Sequence, residues 1–362
     1  MEIDHIHFYV DDAFPSQQRL VHEMGWTALL QTVLPDRRLE IFAYLGCYFL
    51  FSSPHSSSGP VADYLQAHSS GVVDIAFRIT NVISLFDRLC LLKDLAGLGS
   101  STIISQSDQV SSAIYSRLAS VRSQPQLGDW FRVSGWGVLR HTMFFSPQST
   151  CESFQQTNVE AIDHIVLNVP KGELDAAAAY YQHLLDLQQE QHFKIDTNNS
   201  GLVSRVLSDR SKQIYININE PTTTNSQIQM FIDSNRGAGV QHIALKCSPI
   251  VSVVAQLRNH GLNFLPVPFT YFASLQHSLY SAKEFNLLAS EEWNKIVDQQ
   301  ILVDCQLEKP GSLLLQIFTL PILPDSLFFF EFIERRGCAE GFGSRNFRAL
   351  FEAIEEDLKI YS

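Results

Sequence analysis

Three residues in the second half of the chain are of types that hold a divalent metal. His164 lies within an alternating apolar run, with Ile162 and Val166 on its own face. His242 lies between Val240 and Ala244 in a second such run, and Glu331 is enclosed by Phe328, Phe329, Phe330, Phe332 and Ile333. A carboxylate in so apolar a strand is costly unless it meets a cation or a metal. Each residue alone is a weak signal. A strand histidine is more often a hydrogen-bonded core residue, and a strand glutamate more often pairs with an arginine, here Arg335 or Arg336 nearby. Together, two neutral imidazoles and one carboxylate on three strands make a facial triad. Such a triad suits Fe(II) and leaves positions open for a bidentate substrate and dioxygen.

The elements that must position this triad repeat along the chain. Ile-Asp-His-Ile occurs at 3–6 and again at 162–165, each time opening a strand-like run. Gly71-Val72-Val73-Asp74-Ile75-Ala76-Phe77 parallels Gly239-Val240-Gln241-His242-Ile243-Ala244-Leu245. Before each, a proline (Pro54, Pro221) opens a polar stretch that leads into a short helix-like piece. Two copies about 160–170 residues apart imply two similar domains, divided as 1–150 and 151–362. The first keeps His5 but has Asp74 where the second has His242, so the first is expected to bind no metal.

The second copy reads as strand 162–169, helix 174–187, strands near 201–207 and 212–219, a short helix, strand 240–247, helix 249–260, helix 276–299 and strands 312–319 and 326–334. Strands at 129–135 and 138–145 close the first copy, and 146–159 is the linker. Strands interrupted by single helices predict an α+β fold with curved, mostly antiparallel sheets. At the C-terminus, Asn346 suits an N-cap, and Phe347, Leu350, Phe351, Ile354 and Leu358 share a helical face. Periodicity favours a packed terminal helix there over a lid.

Composition removes other classes. A chain of 362 residues with net charge −12 repels nucleic acid and anionic membrane. The six cysteines show no Cys-x-x-Cys spacing, which argues against a structural zinc site. There is no Gly-x-Ser-x-Gly elbow, and Gly341-Phe342-Gly343 lacks the context of a phosphate loop. With no signal layout and no apolar run of spanning length, the expected location is the cytoplasm.

Several further motifs run in order: Asp163-His164-Ile165, Asn219-Glu220-Pro221, Ser226-Gln227-Ile228-Gln229, Gly237 to Ala244, Ile301 to Asp304, Leu314 to Thr319, Phe330 to Arg335, and Gly341-Phe342-Gly343 with Asn346-Phe347. On these the chain resembles the 4-hydroxyphenylpyruvate dioxygenase family over nearly its whole length. That family belongs to the vicinal oxygen chelate superfamily. The resemblance implies two tandem domains of paired βαβββ modules with a C-terminal lid helix, and one Fe(II) per chain on His164, His242 and Glu331. It implies a ring clamp from Phe318 and Phe347, a further pocket aromatic at Phe342, and polar pocket residues Ser204, Asn219, Gln227, Gln241 and Gln316. Asn219, Gln241 and Gln316 would take catalytic roles. Strict alternation points Gln241 away from His242, so it reaches the pocket only where the strand is irregular. Asn217, Leu320 and Arg345 depart from the family's usual Pro, Lys and Gly.

The implied reaction converts 4-hydroxyphenylpyruvate and dioxygen to homogentisate and carbon dioxide, through decarboxylation, ring hydroxylation and side-chain migration. It would serve tyrosine degradation or the supply of homogentisate, in a homo-oligomer (dimer or tetramer). The alternatives are a 4-hydroxymandelate synthase, which oxidises the benzylic carbon, and a non-catalytic superfamily member that holds a small ligand. Asn219 and Phe318 favour the ring-hydroxylating enzyme.

Overall fold

The computed structural model describes residues 1–79, 82–95, 109–122, 129–145, 162–196, 201–281, 288–305, 311–337, 339–343 and 346. In the first half, strands β1 (Glu2–Tyr9), β2 (Thr27–Val33), β3 (Arg37–Tyr44), β4 (Cys47–Pro54), β5 (Gly71–Arg78), β6 (Asp129–Ser134) and β7 (Arg140–Phe145) form one sheet in the order β2-β3-β4-β1-β5-β7-β6. Helices α1 (Ala13–His22), α2 (Pro60–Ala67), α3 (Val82–Leu95) and α4 (Gln109–Val121) interrupt it. The second half has strands β8 (Ile162–Asn168), β9 (Gln188–Asp196), β10 (Gly201–Ser208), β11 (Tyr215–Pro221), β12 (Gly239–Lys246), β13 (Leu302–Cys305), β14 (Leu313–Phe318) and β15 (Phe329–Arg336). Their order is β13-β14-β15-β12-β8-β11-β10-β9. Its helices are α5 (Leu174–Leu185), α6 (Gln227–Asn235), α7 (Ile250–Asn259), α8 (Phe269–Ser281) and α9 (Ser290–Asp298). Both sheets are mixed, with antiparallel pairs in the majority, as the paired βαβββ pattern requires.

The duplication reaches into the irregularities of the sheets. Pairing of β1 with β5 skips Asp4 and Val73, and pairing of β8 with β12 skips Asp163 and Gln241. These are the same two positions of the repeat. A bulge adds one unpaired residue and re-aims its side chain. The irregularity that Gln241 needs to escape strict alternation is therefore present.

Three local differences from the sequence reading have physical causes. The polar strand β9 escapes a hydrophobic-pattern reading because it is the exposed edge of its sheet, where polar residues guard unpaired backbone. The helical stretch read as 276–299 is two helices, α8 and α9. The second begins with Glu291 and Glu292 in its first turn, favourable at a helix N-terminus. Helix α4 lies in a serine-rich stretch of modest helix propensity, yet Ile114, Tyr115, Leu118 and Ala119 are all buried. The linker at 146–159, and with it the boundary near 150, lies outside the described residues, as does the terminal helix beyond Asn346.

The main core lies between the sheets and their helices and joins the two halves. Phe8 of β1 stacks on Phe51 at 4.7 Å and meets Phe328 edge-on at 5.1 Å, while Trp26 meets Phe330 at 5.5 Å. The opposite face of each sheet faces its own centre. In the first half α4 covers that face, packing Ile114, Tyr115, Leu118 and Ala119 onto Leu39, Ile41, Leu50, Ala76 and Phe144.

Candidate metal centre and pocket

In the second half, the inward face holds the triad. His164, Ala244 and Glu331 are in register across β8, β12 and β15, and His242 stands two residues before Ala244. Alternation then puts His164, His242 and Glu331 on one face, while Ile165, Ile243 and Phe332 join the core on the other. All three site residues are at most 2% exposed. His164 Nε2 lies 3.3 Å from Glu331 Oε2, and His242 Nε2 lies 3.5 Å from the same oxygen. The candidate ligand atoms all fall within 4.8 Å of one another. Among the described residues none of these three atoms has a hydrogen-bond partner. Buried polar atoms are normally paired, so three orphans converging on one point fit a cation and little else.

Hydrogen bonds orient two of the candidate ligands, and ring contacts flank the histidines. His164 Nδ1 donates to Asp163 Oδ1 at 2.9 Å, and Asp163 also accepts two bonds from Arg335 at 2.7 Å. That carboxylate sets the tautomer that leaves Nε2 free. Gln316 Nε2 donates to Glu331 Oε1 at 2.8 Å, occupying one carboxylate oxygen and leaving Oε2 toward the histidines. Gln316 is held in turn by Asn346, whose Nδ2 donates to its Oε1 at 2.8 Å, and Tyr271 donates to Asn346 Oδ1. Gly343 lies against this network at φ +70°, and a Cβ there would collide with Gln316 Oε1. Phe329 stacks on the His242 ring at 4.7 Å, and Phe342 meets the His164 ring edge-on at 4.9 Å.

Electrostatics divides the histidines. Burial opposes charge on His164, but the Glu331 and Asp163 carboxylates outweigh it and raise its pKa to about 9. Burial dominates at His242 and lowers its pKa. Burial opposes charge on Glu331 as well, yet the two imidazoles hold its pKa down to about 2. The carboxylates thus favour positive charge at this point, the place a metal cation would take.

The first half presents the same positions with different chemistry. In register, Ala76 faces His5, and counting from the Asp74–Arg140 pair puts Thr142 where the second half has Glu331. Asp4 bonds His5 Nδ1 at 2.7 Å and pairs with Arg122, repeating the Asp163–His164–Arg335 arrangement. The centre, however, is closed by protein. Arg132 Nε sits 3.3 Å from Asp74 Oδ2, and Arg132 also bonds Thr142, Ser111 and Tyr115. A guanidinium and a helix lie where the second half has its candidate metal ligands.

The other predicted pocket residues fall as follows. Ser204 and Asn219 are directly paired across β10 and β11, and both are buried. Phe318 is opposite Glu331 on β14, its ring 6.3 Å from that of His242. Gln227, at the start of α6, and Gln241, at the β12 bulge, are buried. Phe347 and Arg345 lie outside the described residues. Arg335 and Arg336, the cations nearest Glu331 in sequence, go elsewhere: to Asp163, and to Glu334 and Glu292. The supporting roles of Asp163, Asn346 and Tyr271, and the stacking of Phe329, were not read from sequence. For Asp163 a signal existed, since Asp precedes His in both copies of the repeat.

Residues 163–278 match the family model described as Glyoxalase/Bleomycin resistance protein/Dioxygenase superfamily. A 4-hydroxyphenylpyruvate dioxygenase from Sus scrofa is 31% identical, covering 98% of this chain and 90% of that protein. The chain belongs to the 4-hydroxyphenylpyruvate dioxygenase family. An enzyme of the same name from Yarrowia lipolytica is 30% identical over 98% of this chain and 91% of its own. Among solved structures, a triple mutant of 4-hydroxymandelate synthase from Streptomyces coelicolor superposes with a TM-score of 0.77 at 25% identity, covering 98% of both chains. The fold is the vicinal oxygen chelate fold. No helix among the described residues is long and apolar enough to cross a membrane.

Proposed function

We propose that this family member is an Fe(II)-dependent 4-hydroxyphenylpyruvate dioxygenase that forms homogentisate and carbon dioxide, acting as a cytoplasmic homo-oligomer in tyrosine degradation or homogentisate supply. The observation that carries the reading is the convergence of three orphaned ligand atoms, on His164, His242 and Glu331, within one buried face. Bound there, Fe(II) would supply open coordination positions for the 2-oxo acid and for dioxygen. The chain's own residues do the rest. Asp163 and Gln316 hold two ligands in the orientation that presents Nε2 and Oε2. Phe318, with Phe347, would hold the ring between apolar faces, and Phe329 and Phe342 shield the histidines from water. Ser204, Asn219, Gln227 and Gln241 would orient the phenol by hydrogen bonds. Gln316, already engaged by Glu331 and Asn346, would act through the carboxylate.

The likeness to 4-hydroxymandelate synthase makes benzylic oxidation the second reading. Anaerobic loading with Fe(II), followed by 4-hydroxyphenylpyruvate and oxygen, tests both. Chromatography against homogentisate and 4-hydroxymandelate standards separates the isomeric products. Homogentisate is expected; 4-hydroxymandelate would support the second reading, and absence of oxygen uptake would leave a non-catalytic ligand-binding protein.

A further inference from the structure

The inward face carries a second group of orphaned polar atoms, beyond the metal centre. Asn217 and Asn168 are 1% and 0% exposed, and among the described residues neither the amide nitrogen nor the amide oxygen of either has a partner. Ser204 Oγ, also fully buried, is unpaired as well. Register places these residues together. Asn219 is opposite Asn168 on one side and Ser204 on the other, and Asn217 is two residues from Asn219 on the same face of β11. Asn217 is itself opposite Val166, the residue between His164 and Asn168 on that face. At about 3.3 Å per residue, Asn217 lies one row, roughly 7 Å along the strands, beyond the His164 row. The Asn168–Asn219–Ser204 row lies roughly 13 Å beyond it.

A buried amide with both ends unpaired is costly, so two of them on neighbouring rows of one face call for a polar occupant. A phenolic hydroxyl offers one donor and two acceptor sites. It satisfies at most three of the five orphaned atoms on Asn168, Asn217 and Ser204. A ring whose para hydroxyl reached the far row would leave Asn217 facing its flank, one position nearer the metal. We infer that Asn217, backed by Asn168, is a second polar subsite for a further ring hydroxyl. The pocket then favours an aromatic 2-oxo acid with two adjacent ring hydroxyls over one with a single para hydroxyl. This rests on the proposed 2-oxo acid chemistry and adds a specificity-determining residue to it.

The test compares anaerobic binding of 3,4-dihydroxyphenylpyruvate and 4-hydroxyphenylpyruvate to the Fe(II)-loaded protein by calorimetry, in the parent and in Asn217→Leu. The parent is expected to prefer the dihydroxy acid about tenfold, and Asn217→Leu to bring that ratio close to one. The ligand-free variant is expected to melt higher than the parent, because an unpaired buried amide gives way to an apolar side chain of similar volume. Asn217→Val serves if the leucine variant does not fold. A preference that is the same in parent and variant, as chelation of iron by the catechol would give, overturns the subsite and leaves the 2-oxo acid reading standing. So does a lower melting temperature in both variants, which would show a structural partner for the amide. Binding of neither acid to the parent would overturn both.

Discussion

Asp163 stands outside the candidate metal ligands and orients one of them, His164. It is buried between His164 Nδ1 and the Arg335 guanidinium. Burial opposes its charge, but those two partners hold its carboxyl well below the usual range. Asp163→Asn keeps the volume and removes the charge that favours the ligating tautomer. Metal affinity is expected to fall about 10–100-fold. A Co(II) titration followed by absorbance measures this, with Glu331→Gln, expected to abolish binding, as the reference. Unchanged affinity in Asp163→Asn would refute the orienting role. At this scale the sequence was informative where a residue type is chemically out of place. A glutamate among five apolar neighbours announces itself, whereas Asn346 and Tyr271, which brace Gln316, look like ordinary polar residues until the fold joins positions up to 75 residues apart.

One element closes the inward face of the first half. Helix α4 fills it, with Leu118 fully buried among Leu39, Leu50 and Phe144. Leu118→Ala is expected to cost about 2–5 kcal/mol in denaturant unfolding and to leave metal loading unchanged. Loss of metal binding in that variant would mean that the two faces are coupled. Strand β3 carries a pH signature. Glu40 is 2% exposed, with one oxygen bonded to Gln31 at 3.1 Å and the other unpaired. Burial raises its pKa to about 7. A raised folded value means that the contribution to stability is complete below the ordinary value near 4.5 and is lost as pH rises through about 7. The melting temperature of the parent is therefore expected to fall between pH 5 and pH 8 by more than that of Glu40→Gln. Equal falls would remove Glu40 as the cause. Helix α4 was illegible because its burial depends on a sheet face assembled from strands on both sides of it in sequence.

Over the whole molecule, the halves are joined through the aromatic cluster and through hydrogen bonds. Tyr181 of α5 bonds His141 of β7, and Trp136 Nε1 donates to Glu173. Phe328 is 1% exposed, edge-on to both Phe8 and Phe330. Phe328→Ala should cost about 3–5 kcal/mol. Because it removes contacts on both sides of the junction, the parent should unfold in one calorimetric transition and the variant in a broader one or in two. A single sharp transition at unchanged temperature in the variant would show that the junction contributes little.

The sequence by itself determined the repeated module and marked the residues that could hold a metal: the repeated Ile-Asp-His-Ile, the substitution of Asp74 for a second histidine, and a carboxylate in an apolar strand. These are local facts, carried by residue type and short-range alternation. Only the tertiary structure decided which buried polar groups find partners. Arg132 closes on Asp74 in the first half, while His164 Nε2, His242 Nε2, Glu331 Oε2 and the amides of Asn168 and Asn217 have no partner among the described residues in the second. Hydrogen-bond satisfaction is a property of strands brought into register and of the helix laid across them, and no window of sequence contains both.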